Sequence, residues 1–249
     1  MKIKIDLSGG LGNQMFQYAF GRAMSVHYEA DLFINEKPIL ANPERKYMLE
    51  KMFNILPKND FQRDYNLISE VDPYTEESEI KYYNLDSNKN FHFLGYWQNE
   101  NFFKKHENII REDFYLEPKR TSENPLVIQV RRGDFVGNKS HEFCDLDWYL
   151  NAISIMSSLT KFDSLIISTD DIEWTQNNFK NLEYPIFWMG LDEKETFEHM
   201  ISAKNFIISN SSFGWWGAWL SKPKNVICPK IWFPANPKWN TSCKNWIKI

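Results

Sequence analysis

Four short apolar runs, each broken off by a polar or glycine-rich cluster, constrain this chain more than any other feature. Lys2–Leu7 alternates isoleucine with polar residues and stops at Ser8-Gly9-Gly10-Leu11-Gly12-Asn13. Leu126–Val130 (LVIQV) stops at Arg131-Arg132-Gly133-Asp134, Ser164–Ser168 (SLIIS) at Thr169-Asp170-Asp171, and Asn205–Ser209 (NFIIS) at Asn210-Ser211-Ser212. Runs of this length and composition, closed by turn residues, read as strands. Helical spacing lies between them: Met15, Tyr18, Ala19, Arg22, Ala23 and Val26 recur on one face after the glycine loop. Further helices are expected at Trp148–Leu159 with Asp147 as N-cap, at Asp171–Phe179, at Glu193–Ala203 and at Phe213–Leu220. Asp192 and Glu195 stand at capping-box spacing before the third of these. Asp31–Asn35, Phe91–Tyr96, Pro185–Trp188 and Asn225–Cys228 read as strands, and Tyr47–Phe53 and Asn99–Glu112 as helices. Residues 40 to 90 are otherwise polar, Tyr-rich and weakly periodic. Strands alternating with helices imply a parallel sheet covered on both faces. The polar stretch Glu117–Asn124 (EPKRTSEN) reads as a linker. The expected fold is α/β, with Rossmann-like domains at 1–120 and 121–249.

Composition narrows the function. With 29 basic against 33 acidic residues there is no electrostatic footprint for nucleic acid. No window holds 18 consecutive apolar residues, so no bilayer-spanning helix is expected, and the start MKIKIDLSGG is too interrupted for a signal peptide. Cys144, Cys228 and Cys243 form no CxxC, which fits a reducing compartment. His27, His92, His106, His141 and His199 are scattered without zinc-ligand spacing, and neither a P-loop nor a G-x-S-x-G elbow is present. Ten tryptophans are unusual; aromatic faces suit sugar rings, but large cores use them too, and most are assigned to the core.

In parallel α/β sheets, ligands bind outside the carboxyl ends of the strands, which is where the four clusters fall. The glycine loop exposes backbone N–H groups to an anion at a helix N-terminus, unless it merely makes a tight turn. As a dinucleotide fingerprint, Gly10-x-Gly12-x-x-Met15 lacks the third glycine, although Glu36 is placed to mimic the ribose-binding acid. Arg131 and Arg132 bring two charges to the rim of a buried sheet, which is costly unless they are paired. A guanidinium fork suits a diphosphate, and one arginine pairing with Asp134 to hold the turn is compatible with the other binding ligand. Asn210-Ser211-Ser212 reads first as a helix cap. Of Asp170 and Asp171, one can cap the following helix while the other accepts from a ribose or base. Asp145-Leu146-Asp147 reads as capping rather than as a metal site.

At these same clusters the sequence resembles the bacterial α-1,2-fucosyltransferases. The blocks GGLGNQMFQYAFGRAMS, VRRGDFVG, STDDIEW, SNSSFGWWGAWLSKPKNVICPKIWFP and the ending NWIKI carry the resemblance. It implies a GT-B fold of two facing Rossmann-like domains, the N-terminal on the acceptor side and the C-terminal holding GDP-fucose. It also implies transfer without a metal or other cofactor, with inversion from β-linked GDP-L-fucose to an α-fucoside, typically on O2 of galactose. Residue by residue, Arg131 would neutralise the β-phosphate of the leaving GDP, and Arg132 would support the turn. Asn13 and the Gly10–Gly12 backbone would reach the diphosphate or fucose. Asp170 would fix the nucleoside, and Asn210, Ser211, Ser212 and Phe213 would line the phosphate end. The family motif H-x-R-R-x-D has Gln129 here in place of histidine. Gln129 donates and accepts but cannot change charge near neutral pH, so the departure bears on donor identity.

Asp134 is the candidate base for the acceptor hydroxyl, with pairing to Arg132 or backbone amides as its structural alternative; Glu142 and His141 lie near it in sequence. The implied partners are a nucleotide-sugar donor and a galactose-containing glycan, with no nucleic acid and with room for a peripheral membrane contact. The expected location is the cytoplasm, at most against the inner membrane face. The competing classes are the same fold with another nucleotide-sugar, a Rossmann oxidoreductase favoured by the glycine loop and Glu36, and a lectin-like module favoured by the tryptophans.

Overall fold

The computed structural model describes residues 1–60, 64–70, 85–138, 144–190, 192–234, 236–237 and 239–249. The chain divides into two compact units, Met1–Tyr115 and Leu116–Ile249. The second unit therefore begins just before the polar stretch read as a linker.

In the first unit, β1 (Lys2–Asp6), β2 (Asp31–Asn35), β3 (Asn66–Ser69) and β4 (Phe91–Leu94) make a parallel sheet in the order β2-β1-β4-β3. Its helices are α1 (Leu11–His27), α2 (Lys37–Leu40), α3 (Leu49–Phe53) and α4 (Glu107–Asp113). Side chains alternate across a strand, and Ile3, Ile5 and Phe93 are fully buried while Lys2, Lys4, Asp6 and His92 are half-buried. The polar face pairs with itself: Lys2 Nζ is 2.7 Å from Asp60, and His92 Nε2 is 2.7 Å from Asp6 Oδ1. Burial opposes the Asp6 charge, but His92, Asn35 and Lys4 outweigh it and hold the carboxyl below its usual range.

Two expectations change here. The strand read to Tyr96 ends at Leu94 because Glu70 accepts the N–H groups of Tyr96 (2.7 Å) and Trp97 (2.9 Å). That clamp holds Trp97 at φ 55°, a left-handed conformation uncommon outside glycine, and stacks its indole on Phe20 at 4.0 Å. The helix read over Asn99–Glu112 begins instead as two one-turn 3-10 helices, Glu100–Phe102 and Lys104–His106. Asn99 caps the first of them, and Phe103 at φ −138° leaves the helical region.

Helix α1 is buried nearly all round, and within it Gln14 and Gln17 are almost wholly inaccessible. Gln17 Oε1 accepts the Ser8 N–H (2.9 Å), and its Nε2 donates to Ser8 Oγ and to the Gly95 carbonyl, both at 3.0 Å. Gln14 donates to the carbonyls of Gly9 (3.1 Å) and Lys46 (2.8 Å) and accepts the Met48 N–H (2.9 Å). A buried amide that serves loop backbone replaces the water those groups would otherwise bind.

The second unit is doubly wound. Strands β5 (Pro125–Val130), β6 (Ser164–Thr169), β7 (Ile186–Met189), β8 (Asn205–Ile208), β9 (Asn225–Cys228) and β10 (Ile247–Lys248) are all parallel, in the order β10-β9-β8-β5-β6-β7. Every residue of β5 and β6 is buried, as helices on both faces require. Leu126, Ile128, Val130, Leu165 and Ile167 pack with Tyr149, Ile153 and Met156 of α5 (Leu146–Leu159) and Phe179 of α6 (Ile172–Phe179). Val127, Ile166 and Phe206 alternate to the other face, where α7 (Glu193–Met200) packs on β6 and α8 (Ser212–Leu220) on β8.

Asp171 and Asp192 cap their helices, accepting from Trp174 N–H (3.1 Å) and Glu195 N–H (2.9 Å). The α5 cap is Asp145, which accepts the Trp148 N–H at 2.8 Å, and not Asp147. The helix starts at Leu146, so Asp147 already lies in its first turn. Tryptophans 97, 215, 216, 219, 232 and 246 are buried, the core use expected for most of them.

Replacing Gln17 by leucine should cost about 1–3 kcal/mol, because it leaves the Ser8 N–H and Gly95 carbonyl unsatisfied inside the first unit. Urea unfolding of the variant beside the wild type measures it, and an unchanged midpoint would contradict this account.

Candidate active site

In the second sheet the chain runs outward from β5 through β6 to β7, then returns to β8 on the other side of β5. Such a reversal opens a crevice at the carboxyl ends of the two central strands. Arg131 and Arg132 follow β5, and Asn210 follows β8. With Phe135, Val136, Cys144 and Asp145 they line a cavity of about 330 Å³.

The two arginines part company at the strand end. Arg132 turns toward α6: its Nε is 3.2 Å from Asp171 Oδ2, and its guanidinium lies 3.8 Å from the Trp174 ring centroid. Arg131 forms ion pairs with Asp134 and with Asp170 Oδ2, the latter at 2.6 Å, and lies over the Phe135 ring. Asp134 therefore pairs with Arg131, where the sequence weighed Arg132 or backbone amides. Asp134 sits three residues on, in a one-turn 3-10 helix (Gly133–Phe135), which brings its carboxylate back to Arg131.

Asp170 does two jobs, since its Oδ1 also accepts the Arg132 N–H at 2.8 Å. A β-carbon on Gly133 would sit 2.6 Å from Asp170 Oδ2, so a side chain there would displace the carboxylate that pairs with Arg131. Asp134 is the looser partner, its side chain 57% exposed against 27% for Asp170.

Across the crevice, Asn210 is buried and donates to the Trp232 carbonyl at 3.0 Å. Ser211 occupies the N-cap position of α8 without a side-chain capping bond, Ser212 opens the helix, and Phe213 meets the Phe197 ring edge-on at 4.6 Å. The capping role read for this cluster is thus met in backbone position only. Gln129 lies inside the sheet, 4% exposed: its Oε1 accepts from Ser209 Oγ at 2.7 Å, and it packs against Gly214 of α8. It supports the turn that carries Asn210 and is not on the cavity wall.

Phe135, Val136, Cys144 and Asp145 are cavity residues that the sequence did not single out as ligand contacts. Burial pushes the Cys144 thiol well above its usual range, against the Asn210 backbone N–H that favours the thiolate, so the thiol itself is neutral. Apolar side chains and a thiol carry no sequence signal of their own; only the reversal at β5 and β8 brings them together.

In the first unit, the Gly10 carbonyl accepts from Asn13 N–H (3.0 Å) and Gln14 N–H (3.1 Å), so α1 starts directly at the glycine loop, with Gly12 in its first turn. Gly9 has φ 74°, and a β-carbon there would meet Asn13 Nδ2 at 2.5 Å. Asn13 Oδ1 accepts from Gln98 Nε2 at 2.7 Å, a contact across 85 residues of sequence. Glu36, weighed as a ribose-binding acid, instead accepts Asn59 Nδ2 on both oxygens at 3.1 Å. Glu142 and His141 lie outside the described residues. Among the described residues, no three His, Cys, Asp or Glu side chains are grouped to hold a metal ion, and no helix is long and apolar enough to cross a membrane.

Known proteins match along the whole chain. An Escherichia coli α-1,2-colitosyltransferase is 29% identical over 286 residues, covering 98% of this chain and 97% of that protein. The Escherichia coli O-antigen biosynthesis glycosyltransferase WbnK is 27% identical over 301 residues, covering 98% and 99%. Among solved structures, a mutant of Arabidopsis thaliana FUT1 in complex with GDP is similar in fold, with a TM-score of 0.50 and 10% identity over 91% of this chain and 70% of that one. Two parallel-sheet units with flanking helices agree with the GT-B architecture expected from the sequence. The model of glycosyl transferase family 11 matches residues 1–249. The chain belongs to glycosyl transferase family 11 and is a glycosyltransferase that uses a nucleotide-sugar donor.

Proposed function

We propose that this enzyme transfers L-fucose from GDP-β-L-fucose to O2 of a galactose in a glycan, inverting the anomeric centre to an α-1,2 linkage. The observation that carries this reading is Arg131, a guanidinium on the wall of the cavity between the ends of β5 and β8. The donor diphosphate is read against Arg131 and Asn210, with Ser211, Ser212 and Phe213 at the head of α8. The nucleoside is read beside Asp170. The Gly10–Gly12 backbone and Asn13 are read as substrate contacts of the first unit, the acceptor side. One relative supports a second donor, since it is named a colitosyltransferase; colitose is the 3-deoxy counterpart of L-fucose.

The chemistry is a single displacement. The acceptor oxygen bonds to the anomeric carbon as the bond from that carbon to the β-phosphate oxygen breaks, and the electron pair leaves with GDP. Arg131 meets the charge that grows on the phosphate, so the protein itself supplies the electrostatic stabilisation. That guanidinium is ion-paired with two carboxylates, Asp134 and Asp170. An arriving diphosphate competes with them, and Asp134, the more exposed, is the one released. The freed carboxylate takes the acceptor proton, so donor binding both fills the site and uncovers the base.

The direct test of donor identity is a thermal-shift panel of GDP, UDP, GDP-fucose, GDP-mannose, UDP-galactose and NAD without added metal. A ligand at 100 times its Kd stabilises by about 2.7 kcal/mol, a visible shift. Stabilisation by GDP and GDP-fucose alone is expected, and a preference for UDP or another sugar would overturn the fucosyl reading. Arg131→Ala should lower turnover by roughly 10²–10³; retention of more than a tenth would remove Arg131 from the mechanism. Asp134→Asn should bind GDP at least as tightly as the wild type, because a competing carboxylate is gone, while turnover falls. Normal turnover in that variant would exclude Asp134 as the base.

A further inference from the structure

From His199 to Ile249 the chain contains seven lysines and no aspartate, glutamate or arginine. This stretch therefore carries +7 while the first 198 residues carry −11, an asymmetry hidden by the overall −4. The fold concentrates it further. Lys204 directly precedes β8, Lys222 and Lys224 precede β9, and Lys244 lies in the turn leading to β10; all four are exposed. These strands are adjacent and parallel, so the four ammonium groups gather at the single edge where the strands begin. The Lys204 carbonyl accepts the N–H groups of Lys224 (2.7 Å) and Asn225 (3.2 Å), and its Nζ donates to the carbonyls of Ser221 and Lys222, which fixes the start of β8 to the start of β9.

The candidate donor cavity lies at the opposite edge, where β5 and β8 end. Strands of four to six residues separate the two edges, roughly 13–20 Å, beyond the ~10 Å screening length at 0.1 M salt. The lysines therefore do not serve the donor. A small anion would need convergent, rigid donors, whereas the ammonium groups of Lys222, Lys224 and Lys244, on flexible stems beside the pinned Lys204, fit an extended and fluid negative surface.

We propose that this lysine edge of the second unit docks the enzyme on the anionic phospholipid headgroups of a bilayer. The contact is peripheral and electrostatic, each lysine near such a surface strengthening binding roughly fivefold. It does not depend on which sugar is transferred.

The test is flotation with vesicles of phosphatidylcholine containing about one third phosphatidylglycerol, the regime of strongly anionic leaflets, beside vesicles of phosphatidylcholine alone. The wild type should float with the anionic vesicles only and come off as salt is raised. Exchanging Lys222, Lys224 and Lys244 together for glutamate should weaken binding by on the order of a hundredfold or more. The same three changed to glutamine should lose roughly a hundredfold, less than the glutamate exchange, while avoiding acidic repulsion in the fold, and thermal midpoints report that each variant is folded. Failure of the wild type to float with anionic vesicles, equal flotation with neutral ones, or unchanged flotation of a folded triple variant would each overturn the proposal.

Discussion

Two guanidinium groups at the end of a strand buried along its whole length set the terms for the second unit. A charge there must find partners, since an unpaired one at a dry rim costs several kcal/mol. The chain meets that demand in two different ways. Arg132 is absorbed into the fold by the Trp174 ring and the Asp171 carboxylate that also caps α6. Arg131 is held by Asp134 and Asp170 beside an open cavity. Partners from its own turn, Asp134, and from the end of β6, Asp170, keep the cation in place at the cavity wall.

The Arg132 turn, the Gly133 close approach and Asp170 form one small machine. The Asp170 carboxylate binds the Arg132 N–H and the Arg131 guanidinium at once, so one side chain ties the backbone turn to the charged group. Gln129 plays a comparable supporting part from within the sheet, bonded to Ser209 just ahead of Asn210. In the first unit the same principle is carried by neutral groups. Gln14 and Gln17 lie inside a helix whose surroundings are apolar, and their amides satisfy the backbone of the segments at Ser8–Gly9, Lys46–Met48 and Gly95. Buried amides of this kind cost nothing while fully bonded and are expensive when broken, which gives the glycine loop a single conformation.

Much of this was legible in the residues. LVIQV, SLIIS and NFIIS are strands because continuous apolar runs bounded by turn residues suit a sheet covered on both faces, and the clusters after them stand where such sheets bind ligands. Asp192 announced its cap by spacing, and of Asp170 and Asp171, one of which was read as a cap, it is Asp171 that caps. The edge strand Asn66–Ser69 was silent, since only Ile68 in it is even half-buried. Arg132 is bound by Asp171 and Trp174 and Arg131 by Asp134 and Asp170, so Asp134 pairs with Arg131, where pairing with Arg132 or backbone amides had been weighed. Adjacent arginines on a turn point in different directions, and the backbone angles that decide this are not written in residue type.

By itself, the sequence determined the α/β class, the alternation of strands and helices from β5 to β9, and the Arg131-Arg132-Gly133-Asp134 cluster after a buried strand, because hydrophobic period and turn chemistry act locally. Only the tertiary structure decided that β5 lies beside β8, that Cys144, Phe135 and Val136 wall the same cavity as Arg131 and Asn210, and that Gln98 reaches Asn13. Those contacts join residues far apart in the chain. They are selected by how whole sheets pack and by which buried polar groups must find a partner, conditions that no local stretch of sequence contains.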